Sequence, residues 1–212
     1  MVLIFDMDGV VVNNHQWHFE AWVEFGRRHG IAITHQEFSK HFGSTNQQVM
    51  RSLFGDTITE NEIRQFSDEK EQIYREIYLP HIKAVDGLPD FLERVYQRGI
   101  PIALATSAPF ENVRFTLAST GLEKYFSVIT DSSKVVNGKP HPEVYLITAA
   151  TLGVQPTDCV VFEDSVPGIR SANSAGMEVI GVATTHKPEE LAMYVTKIIM
   201  NFEAAERVVF DE

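Results

Sequence analysis

The residues with the clearest chemical potential are two aspartates, two positions apart, where an apolar run ends. Phe5-Asp6-Met7-Asp8-Gly9-Val10 follows directly on Val2-Leu3-Ile4. Carboxylates at this spacing can reach one site when the backbone has just left a strand, and Gly9 lets the turn pass close to a bound anion. A lone Asp-x-Asp is more often a solvated turn, so its neighbours matter. A second acidic pair, Glu163-Asp164, ends the apolar run Cys159-Val160-Val161-Phe162 and leads into Ser165-Val166-Pro167-Gly168. Crowded carboxylates are costly unless a cation compensates them, and hard oxygen ligands of this kind suit Mg2+. Asp164 or Ser165 can also cap the helix that follows. Lys139, in Asn137-Gly138-Lys139-Pro140-His141-Pro142-Glu143, is stiffened by two prolines and so suits neutralising a phosphoryl group. Thr106 and Ser107, closing the run Leu104-Ala105, offer a hydroxyl and N–H groups to phosphate oxygens. Each stretch is modest alone. Together they supply nucleophile, acid, hydroxyl, cation and metal ligands.

Elements of fixed kind must place these residues. Apolar runs at 2–5, 100–105, 128–130, 159–162, 179–182 and 198–200 read as strands covered on both faces. Helical patterns lie between them at 89–98, 110–119, 141–152, 166–175 and 188–193, with Gly99, Gly121, Gly153 and Gly176 where helices stop. The alternation predicts an α/β fold, a doubly wound parallel sheet of Rossmann-like form, with ligands at the carboxyl ends of its strands. From 15 to 80 only helical patterns appear. The reading is therefore a core of residues 1–14 and 81–212 with an inserted helical cap of residues 15–80.

Composition narrows the class. With 44% hydrophobic and 22% charged residues the chain reads as an ordinary soluble protein. A net charge of -11 and no basic stripe argue against a nucleic-acid partner. Cys159 is the only cysteine, which excludes an intrachain disulfide, and its apolar setting marks it as a buried small residue. No signal-like segment or run long enough to span a bilayer is visible, so no membrane partner and a cytoplasmic location are expected, with monomer as the default state.

These motifs, in this order over essentially the whole chain, resemble the haloacid dehalogenase-like superfamily, specifically its β-phosphoglucomutase-like phosphatases with a helical cap. The resemblance implies that Asp6 attacks phosphorus and that Asp8 protonates the leaving oxygen, then activates water. It implies phosphoryl binding by Asp8, Gly9, Thr106, Ser107 and Lys139, Mg2+ held by Asp6, the Asp8 carbonyl and Asp164, and Glu163 one shell further out. Dehalogenases of the superfamily lack the second aspartate, so Asp8 favours phosphate chemistry.

His18, Asn46 and Lys70, with His15, are the candidate substrate residues of the cap. His18 reads as a hydrogen-bonded structural histidine in a minor supporting role, and Lys70 as a solvated charge on a polar helix face. Mutases of this kind carry an arginine in a Gly-x-Ser-Arg stretch that clamps the phosphate not being transferred. Gly43-Ser44-Thr45-Asn46 has Asn46 there, and Ala108-Pro109-Phe110 stands where mutases place Ser-Lys-Asn. The expected function is thus a Mg2+-dependent phosphatase for a small phosphorylated metabolite such as a sugar phosphate. A phosphomutase is the alternative, with Lys70 as a possible substitute cation. A non-catalytic binding protein on the same fold is the reading from another class.

Overall fold

The structure, a computed structural model, describes residues 1–41 and 44–210. Gly43 of the stretch compared with the mutase clamp lies outside them. Six strands form one parallel sheet: β1 Val2–Phe5, β2 Ile102–Ala105, β3 Val128–Thr130, β4 Cys159–Glu163, β5 Glu178–Val182 and β6 Lys197–Ile199. Their order is β3-β2-β1-β4-β5-β6, so β1 is a central strand. The order reverses at β1, which is where open sheets of this class bind ligands. The expected α/β class and all six strands are present, with ends shifted by a residue or two.

The helices are α1 His15–His29, α2 His35–His41, α3 Asn46–Phe54, α4 Glu60–Tyr78, α5 Leu88–Gln97, α6 Phe110–Thr120, α7 Glu143–Leu152, α8 Val166–Ser174, α9 Pro188–Leu191 and α10 Ala205–Phe210. The chain divides into two compact units, one of Met1–Asn13 with Lys83–Glu212 and one of Asn14–Ile82. The sheet and α5 to α10 belong to the first unit. The inserted segment is helical, as its patterns indicated.

Side chains in a strand alternate between faces, and the two faces of this sheet have different cores. Val2, Ile4, Ala103, Ala105 and Val161 pack with Val144, Tyr145 and Ala149 of α7 and Ile169 and Ala172 of α8. Phe5 stacks on Phe162 at 4.6 Å and meets Phe91 of α5, Phe126 and Phe202 on the other face. Phe5, Phe91, Phe162 and Phe202 are wholly buried, and burial of each contributes roughly 1.5–3 kcal/mol. The alternation has a consequence beyond the strand ends. Asp6 follows Ile4, and Glu163 follows Val161, onto the face covered by α7 and α8.

Candidate active site

Register brings the acidic residues together. Phe5 pairs with Leu104 on one side and Phe162 on the other, and the Asp6 amide donates to the Phe162 carbonyl at 3.0 Å. Asp6 and Glu163 therefore leave adjacent strands at the same level. The backbone then turns tightly, with the Met7 carbonyl accepting from the amides of Val10, Val11 and Val12. Gly9 has φ +79°, and a Cβ there would lie 1.9 Å from Asp164 Oδ2. Its lack of a side chain makes room for a carboxylate of the chain itself. Thr184, after β5, donates its hydroxyl to the Gly9 carbonyl.

Lys139 enters from the loop between β3 and α7. Glu143 holds that loop by accepting from the amides of Val136 and Asn137 at 2.6 and 3.0 Å and from the Asn137 side chain at 2.8 Å. Lys139 Nζ lies 2.9 Å from Asp6 Oδ1 and 2.7 Å from Glu163 Oε1, and donates to the Ala105 carbonyl at 3.4 Å. Thr106 is buried at the end of β2, its amide bonded to the Thr130 carbonyl and its Oγ1 accepting from the Ala108 amide. Ser107 and Asp8 are half-buried at the same end of the sheet.

Glu163 is fully engaged. Its Oε1 accepts from Lys139 and from Tyr145 Oη at 2.9 Å, and its Oε2 accepts from the Ser165 amide and hydroxyl at 3.0 and 3.1 Å. Ser165 is also the cap of α8, its Oγ accepting from the Gly168 amide at 3.1 Å. Asp164 is different. Its carboxylate is wholly buried and makes no hydrogen bond of standard geometry among the described residues, with the Thr185 hydroxyl near enough to favour its charged form.

Oxygens of Asp6, Glu163 and Asp164 lie within 4.8 Å of one another. One buried ammonium faces three buried carboxylates, so the cluster carries uncompensated negative charge. Burial, opposed by Lys139 and reinforced by Glu163 and Asp8, pushes the Asp6 carboxyl up to about 7. Burial, Glu163 and Asp6 hold the Asp164 carboxyl well above the ordinary range. Burial alone would lower the Lys139 ammonium, but Asp6 and Glu163 outweigh it and raise it. Such a site takes up either protons or a cation. The donor set fits Mg2+, because Asp6 and Asp164 have oxygens to offer and those of Glu163 are already committed.

The family model for haloacid dehalogenase-like hydrolases matches residues 3–182, which include Asp6, Asp8, Thr106, Lys139, Glu163 and Asp164. The chain belongs to that family. It is 32% identical to a phosphorylated carbohydrates phosphatase of Thermotoga maritima, over 93% of this chain and 99% of the relative. It is 31% identical to a fructose-1-phosphate phosphatase of Escherichia coli, over 85% and 95%. It is also similar to the crystal structure of a β-phosphoglucomutase from Clostridium difficile, with a TM-score of 0.85, 26% identity and coverage of 95% and 91%. The chain is a phosphatase of the haloacid dehalogenase-like family.

Within the inserted unit, the structure brings His18, Asn46 and Lys70 into one cluster. Lys70 is not the solvated charge that its helix pattern suggests: it is 2% exposed. Its Nζ lies 2.9 Å from His18 Nδ1 and 2.9 Å from Glu71 Oε1, over the Trp22 ring at 5.0 Å. Asn46 donates to the same Glu71 oxygen at 2.8 Å, and the His18 ring stacks on Tyr74 at 3.9 Å. His15 stands apart, against Phe38. A lysine is buried where a carboxylate, an imidazole and aromatic faces replace its water; Glu71 and Tyr74 lie on α4 itself, but His18 and Trp22 come from α1. Tyr145 and Glu71 were not singled out in the sequence. A tyrosine on the buried face of α7, beside Val144, Thr148 and Ala149, was the available signal for the first.

Proposed function

We propose that the chain is a Mg2+-dependent phosphatase that hydrolyses a small sugar phosphate through an aspartyl-phosphate on Asp6. The observation that carries the reading is the buried cluster of Asp6, Lys139, Glu163 and Asp164 at the switch point of the sheet. Asp6, the Asp8 carbonyl and Asp164 are the residues to hold Mg2+, which when bound offsets the charge between two approaching anions. Asp6 supplies the carboxylate oxygen that attacks phosphorus and takes the phosphoryl group. Lys139, 2.9 Å from that carboxylate, balances the charge of the transferring group, while Thr106 and Ser107 bind its oxygens. Asp8 gives a proton to the leaving alkoxide and takes one from the water that frees Asp6, work that typically contributes about 10²–10⁴-fold.

The sugar-phosphate class rests on the two phosphatase relatives, and phosphatase over mutase rests on charge. A mutase must grip the far phosphate of a bisphosphate, which takes charge-assisted bonds. Asn46 brings no charge and already donates to Glu71, and the charge of Lys70 is partnered by the same carboxylate. Phe110 is exposed and apolar. With β-glucose 1-phosphate and a catalytic amount of the bisphosphate, little glucose 6-phosphate should form, while a panel of sugar monophosphates releases inorganic phosphate. Isomerisation faster than phosphate release, in a coupled assay, would reverse the assignment.

A further inference from the structure

Tyr145 has no part in the roles above, yet it touches two of their members. It is wholly buried on α7, its hydroxyl donates to Glu163 Oε1 at 2.9 Å, and its ring lies 5.0 Å from Lys139 Nζ. Glu163 Oε1 is thus shared by two donors, Tyr145 and Lys139, and Lys139 is in turn shared by two carboxylates, Glu163 and Asp6. We propose that Tyr145 is a positioning residue that sets how Lys139 is divided between Glu163 and Asp6. The inference rests on the reading in which Asp6 receives the phosphoryl group.

Two carboxylates compete for one ammonium. Glu163 holds Lys139 at 2.7 Å and Asp6 holds it at 2.9 Å. In a buried site the attraction of an ammonium for a carboxylate is little screened, so the balance depends on what else each oxygen binds. The Tyr145 hydroxyl takes up part of the charge on Oε1 and weakens its claim on Lys139. Ser165 fixes the other oxygen through two bonds, so Glu163 cannot turn to compensate. Without the hydroxyl, Lys139 moves toward Glu163 and away from the group on Asp6. Phenylalanine fills the same space, so Tyr145→Phe isolates this effect from packing.

Beryllofluoride with Mg2+ mimics a phosphoryl group on a carboxylate and needs no knowledge of the substrate. Uptake by the full-length chain, followed by fluorine NMR, should weaken about tenfold in Tyr145→Phe, the size expected for a hydrogen bond to a charged group. In a Glu163→Gln background the same substitution should change uptake by less than about twofold, because the charge being shared is gone. With a generic aryl phosphate, Tyr145→Phe should lose about tenfold in kcat with KM within about twofold, a split that stays measurable if Glu163→Gln does not fold. Equal beryllofluoride affinity in wild type and Tyr145→Phe overturns the role, whatever happens to Tm. An equal loss in both backgrounds overturns it too, since the hydroxyl would then act without Glu163. Wild-type protein that takes up no beryllofluoride overturns the aspartyl-phosphate reading itself, and the role with it.

Discussion

With its carboxyl pushed up to about 7, Asp6 holds a proton more tightly in the folded metal-free chain than it would unfolded. The folded state then binds more protons than the unfolded one between about pH 4 and 7, so this group's contribution to stability falls as pH rises through that range. Asp6→Asn keeps the shape and removes the titration. In chelator, the variant's melting temperature should rise relative to wild type between pH 5 and pH 8, and a constant difference would show that Asp6 is not strained by its neighbours. With Mg2+ at neutral pH the same variant should lose at least about a thousand-fold in turnover with an unchanged circular dichroism spectrum, as expected for a nucleophile. Lys70 makes the opposite case, a buried charge that is matched. Lys70→Met removes the charged partner 2.9 Å from the buried Glu71 carboxylate and is expected to cost about 3–5 kcal/mol. Adding Glu71→Gln should recover much of that loss in a denaturation series.

At the scale of elements, the site depends on two turns that accept little change. Gly9→Ala puts a methyl group where the Asp164 carboxylate lies and strains a backbone at φ +79°. The Mg2+ concentration for half-activation should rise at least about tenfold, and an unchanged Mg2+ titration would separate Gly9 from the metal residues. Ser165→Ala removes the cap of α8 together with one of the bonds on Glu163, and about 1–2 kcal/mol of stability should go with it. Much of this was legible in the sequence because it is local. Asp6, Thr106 and Glu163-Asp164 each end an apolar run, and the topology of a parallel sheet brings such ends together. Lys70 was not legible, because α4 is polar along most of its length and the residues that bury Lys70 lie up to 52 positions away. Tyr145 was missed for a related reason: its partner is set by the alternation of a strand 18 residues later.

The whole molecule pairs a contiguous unit, Asn14–Ile82, with one assembled from two separate stretches, Met1–Asn13 and Lys83–Glu212. Deleting residues 1–13 would remove β1 from between β2 and β4, along with Phe5 from the aromatic core. The remaining sheet would be split, and no cooperative unfolding of the larger unit should be seen by calorimetry. The central position of β1 also orders events on the ribosome. β1 has no sheet partner until residue 102 has emerged, and its second partner waits for residue 159. The inserted helices all lie within Asn14–Ile82, so they have been made before any of the later strands. A growing chain therefore carries an unpaired, wholly apolar Val2–Phe5 while the inserted helices are being made, and at about 5–20 residues per second this exposure lasts for several seconds at least. The segment that later carries Asp6 is, during synthesis, the part of the chain most open to a chaperone or to another unpaired strand.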